Sequence, residues 1–285
     1  GRVELIARLE QQFHVALPQS VFTDAETPRD LLRAIGSARG RSATLSREQV
    51  ARDESVLLSD FPVQAATLLE VLDWHVQQHP QRIHIRVLDE EREVATLSYA
   101  QLKQGAQQVA IGLQQLGVLP GETVAIMLPT GRDYFFSFIA ILMAGAVPVP
   151  IYPPVRLSQL EDHLRRHSRI LQNCQASYLI TVPQAKLVAG LLKSLVSSLR
   201  NVVTIAELAG SADYLQPVIG SQDIAFLQYT SGSTGNPKGV VLTHANLLAN
   251  IRVMGEVVRA NSRDVFVSWL PLYHDMGLIG AWFGS

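Results

Sequence analysis

Two apolar runs, Ile224–Leu227 and Val240–Leu242, bracket a stretch of a different kind. From Thr230 to Gly239 the chain holds three glycines (Gly232, Gly235, Gly239) and four hydroxyl residues (Thr230, Ser231, Ser233, Thr234), followed by Pro237 and Lys238. The flanks read as strands, so the stretch is a loop at the edge of a sheet. Glycine lets backbone N–H groups turn toward an anion with no Cβ in the way. Serine and threonine add short donors, and lysine adds a point charge. That is the chemistry of a phosphate-holding loop. The P-loop of nucleotide hydrolases does not fit. Five residues separate Gly232 from Lys238, Pro237 precedes the lysine, and Gly239 follows where Ser or Thr is required.

A second segment runs from Trp269 to Gly280 and contains His274 beside Asp275. A lone His next to an Asp is more often structural than catalytic. Here a strand-like stretch, Val265–Trp269, and a turn at Pro271 precede it. This predicts that His274 is presented at a strand end, where ligands bind in open α/β sheets.

The run Tyr229–Gly239 resembles the phosphate-binding loop of the adenylate-forming, AMP-binding enzymes: acyl-CoA synthetases, nonribosomal adenylation domains, luciferases and fatty acyl-AMP ligases. Leu270–His274 resembles the acyl-pocket motif of the same superfamily. The extension His274–Gly280 and the Tyr152-Pro153-Pro154 turn resemble the fatty acyl-AMP ligase branch. The resemblance implies an ATP- and Mg²⁺-dependent activation of a fatty acid as acyl-adenylate, with release of pyrophosphate. It assigns Thr230, Ser231, Gly232, Ser233, Thr234, Gly235, Lys238 and Gly239 to the ATP phosphates, with Thr234 also near Mg²⁺. Lys238 would contact the leaving pyrophosphate. His274 would orient the acyl carboxylate or donate to a phosphate oxygen, and Tyr273, Asp275, Met276 and Gly277 would line the pocket.

The chain upstream alternates apolar strands with amphipathic helices. Leu68, Leu69, Leu72 and Val76 share a helical face behind a Thr67 cap, and a hairpin spans Ile83–Val87 and Val94–Leu97. Ser98 caps a helix that Gly117 ends. Thr123–Leu128, Tyr178–Thr181 and Val202–Ile205 read as strands, with one helix across Lys186–Leu199. This order predicts an α/β fold with a largely parallel sheet and helices on both faces. In the stretch 157–173, Leu160, Leu164 and Leu171 form the inner face, and the arginines and histidines, His167 included, are expected in solvent.

Tyr134–Val155 carries no charge over 22 residues, long enough to span a bilayer. Gly145 and four prolines break it, so it reads as a buried helix, Asp133–Ala144, and a strand, Val147–Ile151, with no transmembrane segment. Peripheral contact with lipid stays open. With 24 basic and 25 acidic residues and no basic run, nucleic acid is a poor partner. One cysteine, Cys174, rules out an internal disulfide framework and fits a cytoplasmic location. The histidines show no metal-ligand spacing.

Residues 1–36 read as a small helical unit. Val3, Ile6, Leu9 and Phe13 make one apolar face; Thr27 caps a second helix with Pro28 at its first position, ended by Gly36. Two short helices cannot bury a core alone. The unit resembles the last helices of an acyl carrier protein, which carries phosphopantetheine on a Ser. In this register that Ser falls two positions before Gly1, so the modified residue is absent from this chain. Residues 37–60 read as a linker, and 61–285 as the N-terminal, incomplete part of an adenylate-forming domain. The resemblance implies that the adenine- and ribose-binding elements and the small C-terminal domain lie beyond Ser285. It follows that the 285 residues alone are expected to be inactive, with an unpaired sheet edge and exposed apolar surface.

The fused carrier implies transfer to a phosphopantetheinylated carrier, in cis or in trans. The alternative within the superfamily is an acyl-CoA synthetase. The alternative of another class is a non-catalytic carrier-docking or scaffold module.

Overall fold

The computed structural model describes residue 17 and residues 27–37, 61–89, 92–153, 160–210, 212–230 and 237–285. The chain falls into two units, Gly1–Val56 and Leu57–Ser285. In the first, helix α1 spans Pro28–Ser37. Thr27 and Asp30 cap it reciprocally: the Asp30 N–H donates to Thr27 Oγ1, and the Thr27 N–H donates to the Asp30 carboxylate. The helix proposed for residues 3–13 lies outside the described residues.

The second unit begins with α2 (Leu68–Gln78), where Thr67 Oγ1 accepts from the Glu70 N–H as the cap motif demands. Strands β1 (Ile83–Asp89) and β2 (Arg92–Ser98) form the expected antiparallel hairpin. Ser98 and Gln101 form a capping box for α3 (Tyr99–Gln115). Then follow β3 (Thr123–Met127), α4 (Arg132–Met143), β4 (Val147–Pro150), α5 (Leu160–Asn173) and β5 (Tyr178–Thr181). Gly117 and Gly145 hold φ of +80° and +73°, closing α3 and α4. After α4, the Ala146 N–H reaches back to the Ile141 carbonyl and the Gly145 N–H to Leu142, which satisfies the last carbonyls of the helix.

Strands β4, β3, β5 and β6 (Asn201–Val203) make a parallel sheet in that order. Side chains alternate across it. Val124, Ile126, Tyr178 and Ile180 enter one core with α3 and α4. Ala125, Met127 and Leu179 enter another with Ile170, Leu171 and Leu192. Both faces are therefore covered, the α/β arrangement read from the sequence. Strands β7 (Ile224–Thr230) and β8 (Lys238–Thr243) pair antiparallel, and β7 runs alongside β4.

Helix α4 sets the packing of this unit. Every residue from Tyr134 to Met143 is buried. At 12 residues it is about 18 Å long, too short for a bilayer core of roughly 30 Å. Among the described residues, no helix is long and apolar enough to cross a membrane. The Tyr134 hydroxyl donates to the Leu272 carbonyl at 2.8 Å inside the core.

Four expectations are corrected. The single helix across Lys186–Leu199 is two short ones, α6 (Pro183–Gly190) and α7 (Leu192–Leu195), parted at Gly190, a poor helix interior residue. The strand to Ile205 stops at Val203, because Thr204 and Glu207 cap a 3₁₀ turn, Ile205–Leu208. His167 is fully buried rather than solvated, its ring 4.6 Å from that of Tyr152. Val265–Trp269 joins no ladder; a strand needs a neighbour, and none of the described strands pairs with it. Val265, Phe266, Val267 and Trp269 are all exposed, as are Val240 and Val241 on β8. The exposed apolar surface anticipated from the sequence is present there.

The second unit also buries imidazoles. His244 opens α8 (His244–Val258), is 1% exposed, and accepts the Leu68 N–H on Nδ1 at 3.2 Å. Tyr99 stacks against both His75 (4.4 Å) and His84 (4.6 Å), and His84 Nε2 accepts the Trp282 indole N–H at 3.2 Å. Burial, then the neighbouring His79 and Arg82 charges, lowers His75 to about 4. Burial, then His75 and Arg82, lowers His84 to about 3. Burial lowers His244 too, against the pull of Asp223 and Glu70.

Each of these folded-state values lies below that of the unfolded chain, so unfolding takes up protons. Their stability contribution is complete above pH 6.5 and is lost as pH falls toward the folded values. Calorimetry from pH 8 to pH 5 should show the melting temperature falling below pH 6.5, and His244→Gln should shallow that fall. A melting temperature that holds or rises on acidification would refute the assignment. Separately, Tyr134→Phe strips the Leu272 carbonyl of its buried donor. It should cost about 1–3 kcal/mol and speed hydrogen exchange over residues 272–276; a variant as stable as the parent would contradict the role given to this bond.

Candidate functional site

The glycine- and hydroxyl-rich loop is the connection of the β7–β8 hairpin. The ladder runs from Ile224 opposite Thr243 to Thr230 opposite Lys238, so the loop leaves and re-enters at a paired position. Ser231, Gly232, Ser233, Thr234 and Gly235 lie outside the described residues. Thr230, Lys238 and Gly239 are exposed at the hairpin end. Lys238 makes no ion pair with the described residues, which leaves its ammonium available to an anion.

The end of the hairpin is anchored through Tyr229. Its hydroxyl donates to Asn173 Oδ1 at the end of α5. Across the ladder it faces Gly239, where an added Cβ would lie 3.0 Å from the phenol ring. Glycine at 239 thus lets the ring lie across the neighbouring strand. Beneath it, Cys174 is buried, and burial pushes its thiol up to about 11, so it is a neutral, unreactive group.

The His274 segment is built differently from the sequence expectation. It is not a strand end but a turn entering a wide helix, α9 (Met276–Phe283), which has π-type hydrogen bonding. The His274 N–H donates to the Pro271 carbonyl at 3.1 Å, and the His274 carbonyl accepts from the Leu278 N–H at 2.8 Å. Asp275 Oδ1 accepts from the Met276 N–H at 2.8 Å and caps the helix. Gly277 is buried; a Cβ there would sit 2.3 Å from the Pro271 carbonyl oxygen, so glycine is required for the turn to close. His274, Asp275 and Met276 are exposed, and Tyr273 is half-buried. The Tyr273 ring lies 5.9 Å from Tyr152 and 5.1 Å from His274. Burial, then the nearby Tyr152, raises the Tyr273 phenol, which therefore stays neutral. Tyr152 in turn packs on the buried His167, with the Arg166 guanidinium 5.6 Å from its ring. The Tyr152-Pro153 turn and the His274 segment are thus brought together.

The two motifs meet through a residue to which the sequence reading gave no role. Gln228 lies two positions before Thr230 and is 5% exposed. Its Nε2 donates to the Tyr273 carbonyl at 2.8 Å. Its signal in the sequence is a lone polar side chain inside an otherwise apolar strand. A polar cavity of about 330 Å³ also exists between α3 and the start of α4, lined by Gln101, Gln104, Gln108 and Arg132, and none of the predicted site residues borders it.

Comparison with known proteins agrees with this geometry. The family of AMP-binding enzymes matches residues 72–285, and the phosphopantetheine attachment site family matches residues 1–35. A medium-chain fatty-acid–[acyl-carrier-protein] ligase of Moorena producens is 32% identical over 220 residues, covering 75% of this chain and 37% of the relative. A long-chain fatty-acid–AMP ligase of Mycolicibacterium smegmatis is 36% identical over 191 residues, covering 65% of this chain and 29% of the relative. A provisionally named acyl-CoA synthetase of Caulobacter vibrioides is 33% identical over 239 residues, covering 84% and 41%. The chain therefore spans well under half the length of these relatives. Among solved structures, the fatty acid AMP ligase of Legionella pneumophila superposes with a TM-score of 0.67 at 32% identity, covering 77% of this chain and 37% of that one. With three quarters of its length matched and both motifs at one end of the same fold, the chain belongs to the AMP-binding enzyme family.

Proposed function

We propose that this chain forms part of a fatty acyl-AMP ligase that activates a fatty acid and passes it to a phosphopantetheine carrier. The observation that carries the reading is the hydrogen bond from Gln228 to the Tyr273 carbonyl, which seats the loop hairpin against the His274 segment. A strand that leads into an anion-binding loop motif, seated against a carboxylate-orienting segment, suits a reaction between a phosphate ester and a carboxylic acid.

In that reaction a carboxylate oxygen attacks the α-phosphorus of ATP. A new P–O bond forms, the bond to the β-phosphate oxygen breaks, and pyrophosphate leaves. Catalysis of such a displacement is mainly positioning and charge stabilisation. Lys238, exposed and without an acidic neighbour among the described residues, offsets charge on the leaving pyrophosphate. His274, exposed at the turn, orients the carboxylate, and Tyr273 lines the acyl site. The loop N–H groups and hydroxyls of residues 230–235 would hold the phosphates, and Thr234 would help hold Mg²⁺, which would supply Lewis-acid neutralisation of the phosphate oxygens. In the second half-reaction, the carrier thiol attacks the acyl carbonyl and AMP departs.

The carrier half of the reading is supported by the phosphopantetheine attachment match and by the carrier-protein ligases among the relatives. We place the carrier-like helical unit at residues 1–36, the linker at 37–60 and the adenylating unit at 61–285. A cytoplasmic location follows from the same reading, since ATP and the carrier are met there. An acyl-CoA synthetase is the second reading, favoured by the Caulobacter relative's name.

The test uses the full-length gene product that contains these residues, with ATP, Mg²⁺ and a labelled fatty acid, with and without CoA. Acyl-AMP that ignores CoA and moves onto a phosphopantetheinylated carrier is expected. Rapid acyl-CoA formation would replace the proposal by the synthetase reading, and no ATP-dependent product at all would leave a docking module. Lys238→Ala and His274→Ala should each slow acyl-AMP formation on the order of 10²-fold with the fold intact; wild-type rates in both would remove these residues from the mechanism.

A further inference from the structure

The Gln228 amide is a costly choice for its position. The strand around it is apolar: Ala225 and Phe226 are fully buried, and the side chain at 228 lies on the same face as Phe226. One end of the amide is used, Nε2 on the Tyr273 carbonyl. The other end, Oε1, is buried and has no hydrogen-bond partner among the described residues. A buried acceptor left unmatched works against stability. An unbranched apolar residue of similar volume, such as Met, would avoid that loss and pack against the same neighbours. Residues that oppose stability in this way belong to functional sites more than to cores.

What the amide accomplishes is geometric. Thr230 is two residues along β7 from Gln228, and His274 is one residue from Tyr273. The carbonyl it grips belongs to the turn whose neighbouring carbonyl, Leu272, is held from the opposite element by Tyr134. The turn is thus pinned twice, once to the core helix α4 and once to the strand that carries the loop. Only the second pin refers the turn to the loop.

We propose that Gln228 is a positioning residue that fixes His274 relative to Thr230, the end of β7 from which the phosphate loop departs, so that acyl carboxylate and nucleotide meet at reacting distance. This rests on the acyl-AMP ligase reading. A misplacement of about 1 Å between such groups is enough to cost on the order of 10²-fold in rate, and Gln228 touches neither reactant.

The test uses Gln228→Met and Gln228→Glu in the full-length gene product. For Gln228→Met, the melting temperature should stay within a few degrees of the parent's. Its kcat for acyl-AMP formation should fall at least 10-fold, with the KM for ATP nearly unchanged. For Gln228→Glu, the ionised carboxylate repels the Tyr273 carbonyl, whereas the protonated form can donate to it as the amide does. The rate of Gln228→Glu relative to wild type should therefore climb as pH falls from 8 to 6, while the same ratio for Gln228→Met stays flat; titrations shared with wild type cancel in the ratio. Gln228→Met with wild-type kcat would overturn the proposal. So would a loss of activity that tracks a large drop in melting temperature, which marks a merely structural residue. If the wild-type protein makes no acyl-AMP, the ligase reading fails, and the pin is judged by hydrogen exchange instead. Exchange at the His274 and Leu278 amides should quicken in Gln228→Met, and unchanged exchange there would overturn the positioning role as well.

Discussion

A helix that is apolar all round has no stable place at a surface, and α4 is such a helix. Hiding it requires cover on every side. The parallel sheet and α3 supply part of the cover. The rest comes from aromatic rings on two elements far away in sequence. Phe138 packs edge-on against Phe226 of β7 at 5.9 Å and against Trp282 and Phe283 of α9 at 5.4 Å each. Those two elements carry the loop and the His274 turn. Solving a burial problem in the core therefore also delivers the two motifs to one end of the sheet, and the polar contacts from Tyr134 and Gln228 refine a placement that the hydrophobic effect has already made.

How much of this could be read from the sequence follows from the range of the forces involved. Caps are local, so Thr67 and Ser98 were readable from their positions and from the residue three places on. The continuous apolar runs of β3 and of α4 are local too. Long-range choices were hidden. Val265–Trp269 has a strand's composition, but a strand exists only with a neighbour, and pairing is not written in composition. His167 was expected in solvent, because nothing adjacent in sequence shows that the Tyr152 ring would cover it, and no local signal marked His244 as the buried acceptor of the Leu68 N–H. For the site, residue types and spacing pointed to both motifs. The element that presents His274 did not follow, since the need for glycine at 277 arises from a carbonyl six residues back folding onto it.

The fold and the chemistry separate cleanly here. The fold is shared with a solved fatty acid AMP ligase, and the sequence is similar to relatives named for ligation to AMP and to carrier proteins. Fold alone does not imply function. Under the reading proposed above, the likeness to the acyl-AMP ligase branch rests on a few exposed side chains at the head of α9 and on the Tyr152 turn that packs beside them.

The burial of Cys174 has a practical consequence. It is the single thiol among these 285 residues, and its elevated pKa leaves it almost wholly protonated near neutral pH. Maleimides and other thiolate-directed dyes would pass it by. A cysteine introduced at an exposed position such as Met276 would react selectively in the folded protein without prior removal of the native one. The chain is thus already suited to carrying one fluorophore or spin label at the head of α9, from which local distances could be followed in solution.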